Sequence, residues 1–72
     1  MKSSVVHSDP EIMSGAPVFR GTRVPAQIFL DYLADGENIE SFLHGYPSVQ
    51  RAQLETFLHE VGHEFTSELS RV

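Results

Sequence analysis

The sequence predicts a mainly α protein, a three-helix bundle preceded by a small N-terminal β element, and three observations carry that expectation. Gly15, Pro17, Gly21 and Pro25 alternate with the short β-prone runs "VFR" and "TRV", a spacing that suits a hairpin and leaves no room for a helix. From Pro25 onward the apolar residues recur with a helical period of about 3.6. Two further apolar stripes of the same period follow, separated by "GYP" at 45–47. At 72 residues the chain is one domain spanning 1–72, divided into a turn and β element over 1–24, two helices over 25–47 and a third helix over 48–70.

In the β element, Gly21 with Thr22 is the expected hairpin turn. "SDPEI" before it reads as a turn or a single helical turn, because Asp9 is a good cap and Pro10 disfavours helix at the residue before it. The first helix places Ala26, Phe29, Leu30 and Leu33 on one face and Asp31 and Asp35 opposite, with Pro25 suited to its first turn and Gly36 to its stop. Ile28 and Tyr32 form a second apolar strip on its flank. They pack under the hairpin or face a partner, and the pattern leaves both open.

Asn38 is the expected cap of a short second helix carrying Ile39, Phe42, Leu43 and Tyr46. Pro47 then forces the chain out, and Ser48 is the expected cap of a third helix starting near Val49. That helix sets Leu54, Phe57, Leu58, Val61, Phe65 and Leu69 on one stripe. Gly62 is a weak point in it, worth about 1 kcal/mol relative to Ala. The stripe is expected to close the domain's own core through Val61, with the course beyond Gly62 left open.

Composition narrows function. A domain this small buries a core worth only a few kcal/mol, so a second copy or a tight partner is expected. Cysteine is absent, which removes disulfides and thiolate metal sites and fits a non-secreted, cytoplasmic setting. No stretch approaches the roughly 20 apolar residues that span a bilayer, so no membrane partner is expected. The net charge of −5 opposes non-specific attraction to phosphate backbones. Charge is unevenly spread: Lys2, Arg20 and Arg23 face only Asp9 and Glu11 up to Pro25, whereas acids dominate from Asp31 onward.

"HEVGH" at 59–63 fits the H-E-x-x-H pattern of zinc hydrolases, in which His59 and His63 would hold the metal and Glu60 would activate water. With Leu54 at zero on a helical wheel, at roughly 100° per residue, the core stripe lies within about 60° while the two histidines fall near 140° and 180°. They point away from the core. A hydrolase also needs a third ligand from another element inside a sheltered cleft, and Glu64 and Glu68 on the same helix cannot supply it. A solvated helix face is therefore the better reading, with a zinc-dependent hydrolase as a remote alternative and no cofactor expected. His7 and His44 have no partner spacing and suit cap, turn or surface positions.

Asp9, Pro10, Glu11 and Ile12, then Gly15 and Pro17, then Gly21, Thr22, Arg23 and Val24, and later Gly36 with Tyr46 and Pro47, form an ordered string of turn and charge residues. In that string the chain resembles the domain of unknown function 433 family, small proteins regarded as antitoxins of bacterial toxin-antitoxin pairs. The resemblance covers about two thirds of the chain. It implies a helix-turn-helix-like bundle, a homodimer, and a neighbouring ribonuclease-like toxin of PIN type neutralised by direct binding. Gln50 stands where the family tends to carry a Thr or Ser cap, and the "HEVGH" tail lies outside the shared pattern.

In a helix-turn-helix the second helix of the pair lays its N-terminal residues in the major groove, which here presents Ser48, Gln50, Arg51 and Gln53. Gln pairs bidentately with adenine and Arg with guanine. Arg20 and Arg23 flank the hairpin turn and would grip phosphates, although pairing of Arg23 with Asp9 or Glu11 is the rival structural role. The expected partner-binding residues are Ile28, Tyr32, Phe65 and Leu69, beside Glu55, Glu60, Glu64 and Glu68, whose charge would attract a basic toxin surface. The expected function is thus an antitoxin that also binds its operator DNA; the alternative is a dimeric protein-interaction module that binds no DNA.

Overall fold

A computed structural model describes residues 2–70. In chain order it comprises β1 (Val6–His7), β2 (Val18–Phe19), α1 (Ala26–Ala34), α2 (Ile39–Gly45) and α3 (Arg51–Leu69). The two strands pair antiparallel, Val6 opposite Phe19 and His7 opposite Val18, so a small N-terminal β element precedes three helices as expected.

The hairpin expected over 17–25 is present only in part. Thr22 N–H donates to Phe19 O at 3.0 Å and Phe19 N–H to Val24 O at 3.0 Å, with Gly21 at φ +79° supplying the left-handed residue such a turn requires. "TRV" contributes no strand, however: its Val24 accepts the one bond from Phe19 N–H, and the residue after it, Pro25, forms an isolated bridge with Val18. The strand partner of β2 is β1, a run of two residues too short to give a strand signal, so His7 lies in a strand and not in the expected cap, turn or surface role. Buried Thr22 locks the turn: its hydroxyl donates to Phe19 O at 2.8 Å and accepts from Val24 N–H at 3.0 Å.

Between the strands, Asp9 accepts from Glu11 N–H at 2.9 Å through its side chain and from Ile12 N–H at 2.9 Å through its backbone, a turn with Pro10 second, where its fixed φ is favourable. A 3-10 turn over Met13–Gly15 follows. Met13 and Ser14 hold φ of +50° and +55°, which costs about 1–2 kcal/mol per residue with a side chain.

Helix ends follow local chemistry. Gly36, at φ +86°, ends α1: Gly36 N–H donates to Leu33 O at 3.1 Å and Glu37 N–H to Tyr32 O at 2.9 Å, the paired bonds of a Schellman motif. Asn38 caps α2 by accepting from Ser41 N–H at 2.9 Å, as expected. The expected cap of α3 is corrected: the helix begins at Arg51 with Gln50 as its cap, and Ser48 stays in the preceding turn. The Gln53 side chain accepts from Gln50 N–H at 3.0 Å, half of a capping box built with amides.

Each of four elements lends one phenylalanine to the core: Phe19 from β2, Phe29 from α1, Phe42 from α2 and Phe57 from α3, all buried. Phe19 meets the other three edge-on, with ring centroids 6.3, 6.5 and 5.5 Å away, and Phe29 meets Phe42 at 5.0 Å. Tyr32 extends the cluster, edge-on to Phe42 at 5.1 Å and to Tyr46 at 5.9 Å. Tyr32 therefore packs against α2, not under the hairpin. Ile28 is half-buried against the same core.

Phe19→Ala removes the shared ring and is expected to cost about 3–5 kcal/mol, comparable to the whole stability of a domain this small, so a urea titration should show the variant largely unfolded without denaturant. Thr22→Val is expected to cost about 1–3 kcal/mol by leaving Val24 N–H without its acceptor, whereas Thr22→Ser should retain most of the wild-type melting temperature.

Candidate partner and nucleic-acid interface

The six residues expected to meet DNA lie on two adjoining pieces of structure, the turn after β2 and the start of α3. Gln53 Nε2 donates to Arg20 O at 3.0 Å, tying one to the other. Because the same side chain also accepts from Gln50 N–H, its amide is engaged at both ends. Arg51 forms an ion pair with Glu40 of α2. Both partners are largely exposed, so the pair is weak, about 0–1 kcal/mol, and yields easily to a phosphate or a base. Ser48 and Gln50 are exposed.

Arg20 lies along β1: its Nε donates to Ser4 O at 3.2 Å, and Nη1 sits 3.5 Å from His7 Nδ1. His7 Nε2 is buried with no hydrogen-bond partner. Arg23 is exposed and forms no ion pair with Asp9 or Glu11. That structural pairing is corrected: Asp9 is occupied by its own turn and Glu11 is exposed. Arg20, Arg23 and Arg51 thus leave cationic groups at the surface around the hairpin turn and the start of α3.

The other half of α3 has a different character. Leu58 and Val61 are half-buried against the core, and there the core ends. The helix continues through Gly62 to Leu69, so Phe65 and Leu69 stand 64% and 59% exposed, with Glu64 and Glu68 beside them in sequence. Of the four expected partner-binding residues, these two stand clear of the domain, while Ile28 and Tyr32 are half-buried in its packing.

"HEVGH" divides in the same way. His59 and His63 are exposed. Glu60 is pulled to the N-terminal segment: its carboxylate accepts from Ser3 Oγ at 2.6 Å, Ser4 N–H at 2.8 Å and Ser4 Oγ at 2.9 Å. Ser3 Oγ in turn accepts from Val5 and Val6 N–H at 3.1 and 3.0 Å, fastening the start of β1 to α3. Such an engaged carboxylate is not free to activate a water. Among the described residues no group of three or more His, Cys, Asp or Glu converges on a metal-binding point. This tether joins residues 56 and 57 apart in sequence, and no local signal announced it. A mainly apolar cavity of about 460 Å³ opens where β1 meets α1, with Val6, Pro17, Leu30 and Phe57 in its wall.

The hydrogen bonds from Ser3, then those from Ser4, hold the Glu60 carboxyl below its ordinary value of 4.5. A depressed carboxyl stabilises the fold above its unfolded value, and the contribution is lost as pH falls through the folded one. Denaturation midpoints of the wild type should therefore decline on acidification below about pH 4.5, more steeply than those of Glu60→Gln. At neutral pH Ser3→Ala should destabilise the wild type more than it destabilises Glu60→Gln, where only the Val5 and Val6 amide bonds to Ser3 remain to be lost, and a double-mutant cycle reads that difference directly.

The described helices include none long and apolar enough to cross a membrane. No solved structure matches the chain. A curated relative, the uncharacterized protein y4eO of Sinorhizobium fredii (strain NBRC 101917 / NGR234), is 38% identical over 50 residues, which is 69% of this chain and 23% of the relative. The chain thus spans about a quarter of that relative's length. A family model described as protein of unknown function (DUF433) matches residues 6–59, from the first residue of β1 to the first histidine of "HEVGH", and the chain belongs to that family.

Proposed function

We propose that this chain is a non-enzymatic antitoxin-type module that neutralises a PIN-type ribonuclease toxin by direct binding. The observation that carries the reading is the far end of α3, where Phe65 and Leu69 are exposed on a helix whose glutamates give it negative charge. An exposed apolar stripe on a helix seeks a groove, and acidic neighbours direct it to a basic one. A ribonuclease must carry a basic surface for its RNA, so the same charge would both steer association and cover that surface. This end of α3 lies beyond the family-matched residues, which fits a common domain carrying its own partner-specific extension.

Dimerisation and operator binding belong to the same proposal. The α2–α3 pair would act as the helix-turn-helix, with Ser48, Gln50 and Arg51 at the base edges and Arg20 and Arg23 on phosphates. Gln53, held by Arg20 O, would position the hairpin turn beside the recognition helix. Support for this role is the exposure of those groups and the weakness of the Arg51–Glu40 pair. If no DNA is bound, what remains is a dimeric protein-interaction module resting on the same α3 surface.

Co-expression with the adjacent reading frame should yield a stable complex. Phe65→Ala combined with Leu69→Ala should abolish it while leaving the melting temperature of the free protein within a few degrees of wild type, because neither ring nor branch is buried. Failure to form any complex with a non-toxic neighbour would sink the assignment. Operator binding should weaken steeply with salt in a mobility-shift series, and each of Arg20→Ala and Arg23→Ala should reduce the salt slope by about one phosphate contact.

A further inference from the structure

We propose that His59 and His63 form a two-imidazole chelate for a first-row divalent transition ion, open to solvent and independent of Glu60. The pair sits at i and i+4 on an unbroken helix, so the rings project from one face, one turn apart. Both side chains are exposed, and neither imidazole is engaged by another group, so no existing bond must break before both nitrogens turn to one ion. Neutral imidazole suits copper, nickel and zinc. Because no third protein ligand converges there among the described residues, water fills the remaining coordination positions. Affinity then follows the order of the metals themselves, with copper(II) the tightest.

The intervening glutamate separates this site from a hydrolytic one. Glu60 is held to Ser3 and Ser4, so its carboxylate is engaged by the N-terminal segment. What the chelate does instead is mechanical. The turn it spans contains Gly62, and Thr66 Oγ1 bonds to Gly62 O at 3.0 Å and His63 O at 3.1 Å, a side-chain competitor for helical carbonyls that loosens and bends helices. An ion joining residues 59 and 63 clamps that turn, and the Phe65 and Leu69 segment beyond it becomes more ordered. The site stands on its own whether or not that segment meets a toxin.

The test uses the full chain, labelled with 15N and titrated with zinc chloride and, separately, copper chloride. Zinc should produce saturable amide shifts concentrated at residues 59–66 and slower hydrogen exchange over 62–69, and copper should broaden the same resonances. Both responses should be lost in His59→Gln and in His63→Gln, which remain folded because each side chain is exposed, and should persist in Glu60→Gln and His44→Gln. A response that survives in the doubly substituted His59→Gln, His63→Gln chain, that centres on His7 or His44, or that disappears with Glu60→Gln overturns the proposal.

Discussion

Four phenylalanine rings hold this fold together, and the chain supplies them one per element. With so few residues, no helix pair has an interface large enough to be stable by itself; β2 and all three helices are joined because Phe19 touches the rings of the other three. Each buried ring contributes about 1.5–3 kcal/mol of transfer free energy, and the edge-on geometry adds to that. Removing the strand's ring therefore weakens three helical contacts at once. The Thr22 hydroxyl, the Gly21 turn and the Asp9 turn all serve to present Phe19 at that point.

The surface features follow from where this cluster stops. Phe57 is the last deeply buried residue of α3, Leu58 and Val61 are its half-buried margin, and the helix then runs past the rest of the protein. Seven core residues and a ring of partly buried neighbours leave nothing to cover Phe65 and Leu69. An apolar pair flanked by acids is thus a consequence of helix length exceeding core length, and it makes the far end of α3 available to a partner while the near end is anchored by Gln53 and Arg20.

The N-terminal segment solves a related problem. A two-residue strand has too few ladder bonds to hold a chain end against its own entropy. Glu60 compensates with three hydrogen bonds to Ser3 and Ser4, while Ser3 ties the following two amides. One carboxylate on α3 thereby stabilises β1 and keeps Val5 and Val6 over the core. It also leaves His59 and His63 as the free members of a motif whose central residue has a structural task.

Local chemistry was sufficient for much of this. The helical period of the apolar residues, Asn38 as a cap, Gly36 as a stop and Pro47 as a break are decided within a few residues of each other, so three helices, their order and the outward aim of His59 and His63 could be derived from the chain alone. What depends on distant partners could not. "VFR" forms its ladder with Val6 and His7 and keeps only one bond to Val24 of "TRV", and β1 is held in place by the Glu60 tether and the packing of Val5 and Val6. Gln50 replaces Ser48 as the cap because Gln53 accepts its amide while reaching Arg20 across the fold. Tyr32 turns to α2 because Phe42 and Tyr46 offer it two aromatic edges. Periodicity identifies which faces are apolar; only the three-dimensional packing decides which of those faces are covered, since burial depends on how far the assembled core extends.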